Sequence, residues 1–332
     1  MFYFFKFCFI AVRFAIRLLR VRKKAQQQAT EYLHALEEKF SGKFDDATFS
    51  KVVKSHSLYL SIVNDAFTLL HGRTTTAIEQ ERSINYFICS SVFDNFFDDK
   101  ILSLPEIESI TFQSETYTPQ RFDEKVSLQA HFFLMNGMKD KAEYIQVLRN
   151  VFEAQAASVK QFDESISNEE IKHITFEKGG NAVLMCRYYL DVVPTKAEEQ
   201  CWYSLGTMIQ LTNDLFDIYK DLQQNIQTLP VRCVDAYAME EFYLLQVSKM
   251  KQQIEQLPYS KNRKQLFSIT MAATYTIGLM PIYQLKKIQQ NLPQLPPLRS
   301  LPRKALIVDM EKASNIFQWV KFIYKYGKLS AT

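Results

Sequence analysis

Apolar residues recur at three- and four-residue intervals through nearly the whole chain, which is the period of a helix with one buried face. The period can be followed through residues 26–40, 45–71, 76–103, 121–135, 139–163, 166–190, 196–226, 231–256, 260–291 and 302–326, with Pro or Gly near most interruptions. With only 8 glycines and 10 prolines, the turn supply of a many-stranded sheet is missing. The pattern predicts an all-α fold, a single large helical bundle. Pro281 lies inside an apolar run and predicts a kink there. The adjacent Gly179 and Gly180 would each cost about 1 kcal/mol inside a helix and predict a local break. Gln290–Pro302, with four prolines, reads as an extended connector.

Residues 1–24 form a separate pattern. Lys6, Arg13, Arg17, Arg20 and Lys24 are spaced to share one face of a helix, with Phe, Ile and Leu on the other. The uncharged runs fall far short of the roughly 20 residues that span a bilayer, and no small-residue cleavage site is present. We expect a basic amphipathic segment lying on an anionic membrane surface, with a helix packed on its own domain as the alternative, followed by one helical domain over 25–332.

Charge sharpens that division. The formal net charge is +4, but residues 1–24 hold seven basic side chains and no acid, so the remainder carries −3. No nucleic-acid-binding surface is implied for the domain. With 332 residues, 47% of them hydrophobic and 14% aromatic, the chain can build a substantial core. Five cysteines and five histidines are scattered without metal-ligand spacing, which argues against a zinc site and against Ser-His-Asp or Cys-His catalysis. The cysteines suit core positions in a reducing compartment, so the expected location is cytoplasmic, peripheral on the membrane.

Two carboxylate clusters interrupt the apolar helical pattern: Asp94-Asn95-Phe96-Phe97-Asp98-Asp99 and Asn213-Asp214-Leu215-Phe216-Asp217-Ile218-Tyr219-Lys220-Asp221. Ionised carboxylates resist burial unless a cation or donor compensates them. Asp94 and Asp98, four apart, share a helix face, with Asp99 pointing away. Asn213, Asp217 and Asp221 stand on successive turns, with Asp214 displaced from their row. Two facing ladders of oxygens would suit Mg²⁺, which takes carboxylates together with substrate phosphate oxygens. Such ions stabilise a departing diphosphate, and an aromatic, dry cavity would protect the resulting carbocation. Phe93, Phe96, Phe97, Phe216 and Tyr219 are the nearby aromatics, most of them expected in the core.

The second cluster resembles the Asn-Asp-x-x-Ser/Thr-x-x-Lys-Glu motif of class I terpene cyclases, departing by Asp217 and Asp221. Extended from Gly206 through Thr228-Leu229-Pro230, the same stretch is similar to squalene and phytoene synthases, whose Asp-x-x-x-Asp first motif Asp94 and Asp98 also match. The likeness to the class I isoprenoid synthase superfamily covers roughly residues 70–230. It implies a helical bundle with a central cavity, three Mg²⁺ ions, and metal binding by Asp94, Asp98, Asp99, Asn213, Asp217 and Asp221. It also implies diphosphate contacts from Lys178, which precedes the glycine pair, from Lys220, and from Lys325-Tyr326, similar to the Arg-Tyr pair of bacterial cyclases. Arg82 and Arg187 are further candidates for the positive charge, with salt bridges as the alternative reading of each.

The expected activity is Mg²⁺-dependent ionisation of a linear prenyl diphosphate and cyclisation of the cation with release of diphosphate. The alternative is a prenyltransferase condensing two prenyl diphosphates, as squalene and phytoene synthases do. A second alternative is a non-catalytic helical binding protein on a membrane. A homodimer is left open.

Overall fold

The computed structural model describes residues 2–329, and among them every regular element is helical. The first part of the chain forms α1 (Phe2–Phe40), α2 (Asp46–Tyr59), α3 (Asp65–Leu70), α4 (Ala77–Asp98), α5 (Leu104–Phe112), α6 (Phe122–Asn136) and α7 (Lys141–Ala157). Then come α8 (Asn168–Met185), α9 (Lys196–Phe216), α10 (Ile218–Gln224), α11 (Ala236–Gln256), α12 (Lys261–Tyr275), α13 (Leu279–Gln289), α14 (Arg303–Leu306) and α15 (Ala313–Tyr326). A π-helical segment, Leu60–Asn64, joins α2 to α3. The all-α expectation therefore holds.

Contacts divide the chain into two compact units. One comprises Ala11–Gln146 and Met185–Val193. Its centre is α4, packed against α2 and α6. Thr76 caps α4 in a reciprocal capping box with Glu79, which satisfies two backbone donors left orphaned at a helix start. Glu79 is fully buried and takes a bidentate ion pair from Arg73, at 2.5 and 2.8 Å, and a hydrogen bond from the Asp191 amide. Burial works against its ionisation, but the Arg73 guanidinium and the backbone donors prevail and hold the carboxyl below its ordinary range.

Of the described residues, the other unit comprises 2–10, Val147–Leu184 and 194–329. In it α11 packs against α9, α12 and α13. The buried Tyr243 hydroxyl lies 2.8 Å from Thr212 Oγ1 and donates to the Tyr275 carbonyl at 2.9 Å, tying α9, α11 and α12 together. A reciprocal capping box of Thr195 and Glu198 starts α9.

Three local expectations are corrected. Helix α8 runs unbroken through Gly179 and Gly180. A Cβ on Gly179 would strike the Gly206 carbonyl, one on Gly206 would strike the Gly179 carbonyl, and one on Gly180 would strike the Tyr203 ring. The glycines thus permit contact between α8 and α9, which outweighs their helix cost. Pro281 does not kink a helix midway. The run is already interrupted between Tyr275 and Leu279, the two helices meeting at a 50° bend, and Pro281 sits in the first turn of α13, where a missing N–H costs nothing. Helix α5 lies where the apolar period gave no signal; Ser103, in a capping box with Glu106, and Pro105 start it.

Helix α1 continues without interruption through residue 24. Met1 and the side chain of Lys6 lie outside the described residues. Of the basic face, Arg17 turns toward the protein, its Nη2 2.9 Å from Asp65 Oδ2, whereas Phe4, Phe5, Phe9, Val12, Ile16 and Leu19 are exposed. Among the described residues no single helix is long and apolar enough to cross a membrane.

The glycine contact makes a prediction. Gly206→Ala forces α8 and α9 apart and should cost about 2–3 kcal/mol in urea unfolding. Gly137→Ala, where the nearest obstacle is the flexible Arg82 side chain, should cost less than about 1 kcal/mol.

Candidate functional site

The second carboxylate cluster lies where α9 hands over to α10. Asp217 is the hinge residue, with φ −92° and ψ 6°, and the backbone bonds Asp217 N to Asn213 O and Asp221 N to Asp217 O, both 2.8 Å, carry helical pairing across it. Asn225 ends α10 in the left-handed conformation at φ 55°, which Asn tolerates better than most residues.

The expected row of Asn213, Asp217 and Asp221 does not share one environment. Asn213, Asp217 and Lys220 are exposed, while Asp221 is buried, and so is Asp214. Asp214 Oδ1 accepts from Gln210 Nε2 at 2.8 Å, and Oδ2 accepts from Thr175 Oγ1 at 3.3 Å. Asp221 Oδ2 accepts from Thr228 Oγ1 at 3.4 Å. Burial pushes the Asp214 carboxyl up to about 6, against the pull of Gln210, of the Lys178 charge and of Thr175. Burial, with the negative charges of Asp214 and Asp217, lifts Asp221 further, to about 7, against Lys220 and Thr228. Three carboxylates therefore feel one another, with less positive charge than they need.

Asp214, displaced from the four-residue row, is nevertheless one of the two buried acids here. Its signal was present: residues seven apart on a helix differ by only about 20° around the axis, so Asp214 and Asp221 share a face more closely than Asn213 and Asp217 do. Thr175 carried no recognisable signal, since its place beside Asp214 depends on the glycine contact between α8 and α9.

Lys178, half-buried on α8, acts electrostatically on Asp214 and so belongs to this cluster. Lys325 lies exposed on α15 with Nζ 4.9 Å above the Tyr326 ring, while the Tyr326 carbonyl accepts from the Tyr275 hydroxyl at 3.1 Å. Tyr219 packs on an apolar cluster around Ile218, Leu222 and Leu298, with the Arg303 guanidinium 5.7 Å from its ring. Tyr219 is thus partly buried at the edge of that core cluster.

The first cluster belongs to the other unit. Asp94, on the last turns of α4, receives Lys51 Nζ at 2.7 Å from α2, and Asn95 donates to Thr48 Oγ1 at 2.7 Å. Phe96 is fully buried, Phe93 and Phe97 are half-buried, and Asp98 and Asp99 are exposed at the helix end. Arg82 is paired with Asp191 at 2.9 Å and Arg187 with Glu143 at 2.7 Å, its guanidinium lying 3.9 Å above the Tyr188 ring. Both arginines are in ion pairs, the alternative weighed for them.

The side chains around Asp214 and Asp221 offer only hard oxygen ligands, which suits Mg²⁺ in kind. Among the described residues, no three His, Cys, Asp or Glu side chains converge as a ready-made metal-binding group. A cavity of about 220 Å³ opens beside α7 and α8, lined by Asn150, Glu153, Ala154, Ala157, His173, Ile174 and Glu177. None of the expected site residues lines it. Comparison with known proteins returned neither a matching family model nor a curated relative.

The buried charge predicts a pH slope in the metal-free protein. The folded-state pKa of Asp221 is raised above its ordinary value of 3.8 to about 7. Its protonation therefore stabilises the fold fully below about pH 4, and that contribution is lost as pH rises through 7. Asp221→Asn should flatten this part of the stability profile and raise the melting temperature at pH 8.

Proposed function

We propose that the protein is a Mg²⁺-dependent class I terpene synthase that ionises a linear prenyl diphosphate and cyclises the cation. The observation that carries the reading is the coupled, charge-deficient group of Asp214, Asp217 and Asp221 with Lys178 beside it. Its positions coincide with the Asn-led motif resembling that of the cyclases. Asn213, Asp217 and Asp221 would hold the metal in this motif, with Asp214 adding its buried charge. Asp94 and Asp98, with Asp99, are the candidates of the first motif. Bound Mg²⁺ would supply Lewis-acid stabilisation of the departing diphosphate.

The chain's own residues would do the remaining work. Lys178 and Lys220 would offer point charges to phosphate oxygens, and Gln210 and Thr175 hold Asp214 by hydrogen bonds. Lys325 and Tyr326 are proposed as diphosphate contacts on the sequence resemblance alone. Lys51 covers Asp94, so metal binding at the first motif requires that ammonium to move aside. The Asp94-x-x-x-Asp98 spacing favours a second reading, condensation of two prenyl diphosphates.

Incubation with farnesyl and geranylgeranyl diphosphate plus Mg²⁺ should release diphosphate and yield products with the carbon number of the substrate. Doubled carbon number would transfer the assignment to a condensing prenyltransferase. Asn213→Ala and Asp217→Ala, both at exposed positions, should lower the release rate on the order of 100-fold, with melting temperatures near that of the parent. Release that is insensitive to chelator and to both variants would refute the metal assignment.

A further inference from the structure

Helix α15 and the beginning of α1 build an apolar surface that the enzymatic reading does not use. Helix α15 is fastened to its own unit on one side. Ile323 is buried, the Tyr326 carbonyl accepts from Tyr275, and the Gly327 carbonyl accepts from Gln265 Nε2 at 2.8 Å and Ser268 Oγ at 3.0 Å. On the other side Ile316, Phe317, Val320 and Tyr324 are exposed, Phe317 by 63%. Their spacing of one, three and four residues sets them along one face.

The same surface continues onto α1. The Tyr324 ring lies 5.2 Å from the rings of Tyr3 and Phe7 and 6.1 Å from that of Phe4, and the Tyr3 hydroxyl donates to the Tyr324 carbonyl at 3.2 Å. Phe5 and Phe9, on the side of α1 turned away from Tyr3 and Phe7, are 65% and 61% exposed. An apolar face of this kind in water marks an interaction site.

Charge identifies the occupant. From Tyr3 to Ile10 and from Ala313 to Leu329 there is no acidic residue, whereas Lys321 and Lys328 lie in the second stretch, in addition to the Lys325 already proposed for diphosphate. Lys321 Nζ sits 4.5 Å above the Phe317 ring and Lys328 Nζ 5.5 Å above the Tyr3 ring. Ammonium groups at the rim of exposed aromatics can reach head-group phosphates while the rings enter the acyl boundary. A second copy of this chain would bring the same cations against each other, which disfavours self-association.

We propose that α15 and the first turns of α1 form a two-helix platform that docks on an anionic membrane surface. The N-terminal segment alone is then an incomplete anchor. The proposal stands whether or not the chain is a terpene synthase.

The test is co-sedimentation of the full chain with phosphatidylcholine vesicles, with and without about one-third phosphatidylserine. Binding should need phosphatidylserine and weaken at high salt. Phe317→Ser with Val320→Ser should weaken it by about tenfold or more, as should Lys321→Gln with Lys328→Gln. Phe5→Ser with Phe9→Ser should do the same, and unchanged melting curves would show all three variants folded. Undiminished binding by the α15 variants would overturn the two-helix platform and leave α1 as the anchor. No binding by the parent, or a concentration-dependent dimer in light scattering that Phe317→Ser and Val320→Ser abolish, would assign the face to something other than lipid.

Discussion

The mutual approach of Gly179 and Gly206 is the constraint from which the second carboxylate cluster follows. Each residue's missing Cβ leaves room for the other's carbonyl, so α8 and α9 meet backbone to backbone. Only at that separation does Thr175 reach Asp214, and does Lys178 act on it. A short distance along the same interface, Gly180 lies under Tyr203, whose hydroxyl donates to Glu177 at 2.6 Å. Two mid-helix glycines that weaken α8 as an isolated helix are thus what its packing requires.

The cluster so assembled works against stability. Asp214 and Asp221 are buried with partial hydrogen bonding and repel each other and Asp217. Glu79 shows the contrasting solution, a buried carboxylate with an arginine and two backbone amides around it. Both arrangements remove a carboxylate from water. One supplies the compensating charge from within, and the other leaves a deficit that shows as raised carboxyl pKa values.

Much of the helical framework was legible because its signals are local. Periodicity located most of the helices and put both motifs in helical stretches, but not the break at Asp217 between α9 and α10. The errors have a common origin in contacts made over long sequence distances. Gly179 and Gly180 look like a break when only the cost to their own helix is counted, and the compensation comes from Gly206, on another element. Lys51 beside Asp94 could not be foreseen, because it needs the pairing of α2 with α4. Asp214 differs in kind: its seven-residue relation to Asp221 is local and legible, and it competes with the four-residue ladder of Asn213, Asp217 and Asp221. The amphipathic pattern of α1 suggested a basic face turned outward, yet Arg17 finds Asp65 within the fold.

The stretch Met185–Val193 belongs with Ala11–Gln146 although the residues on both sides of it belong to the other unit. The Asp191 amide completes the hydrogen bonding of Glu79, and its carboxylate pairs with Arg82, across sequence separations of 112 and 109 residues. During synthesis Glu79 therefore stays incompletely satisfied until Asp191, 112 residues later, has emerged. The unit built mostly from Ala11–Gln146 is incomplete without the later segment. Its missing piece is encoded between two segments of the other unit, and a truncation before residue 191 would leave it without the contacts of Asp191 to Glu79 and Arg82, however complete its own helices.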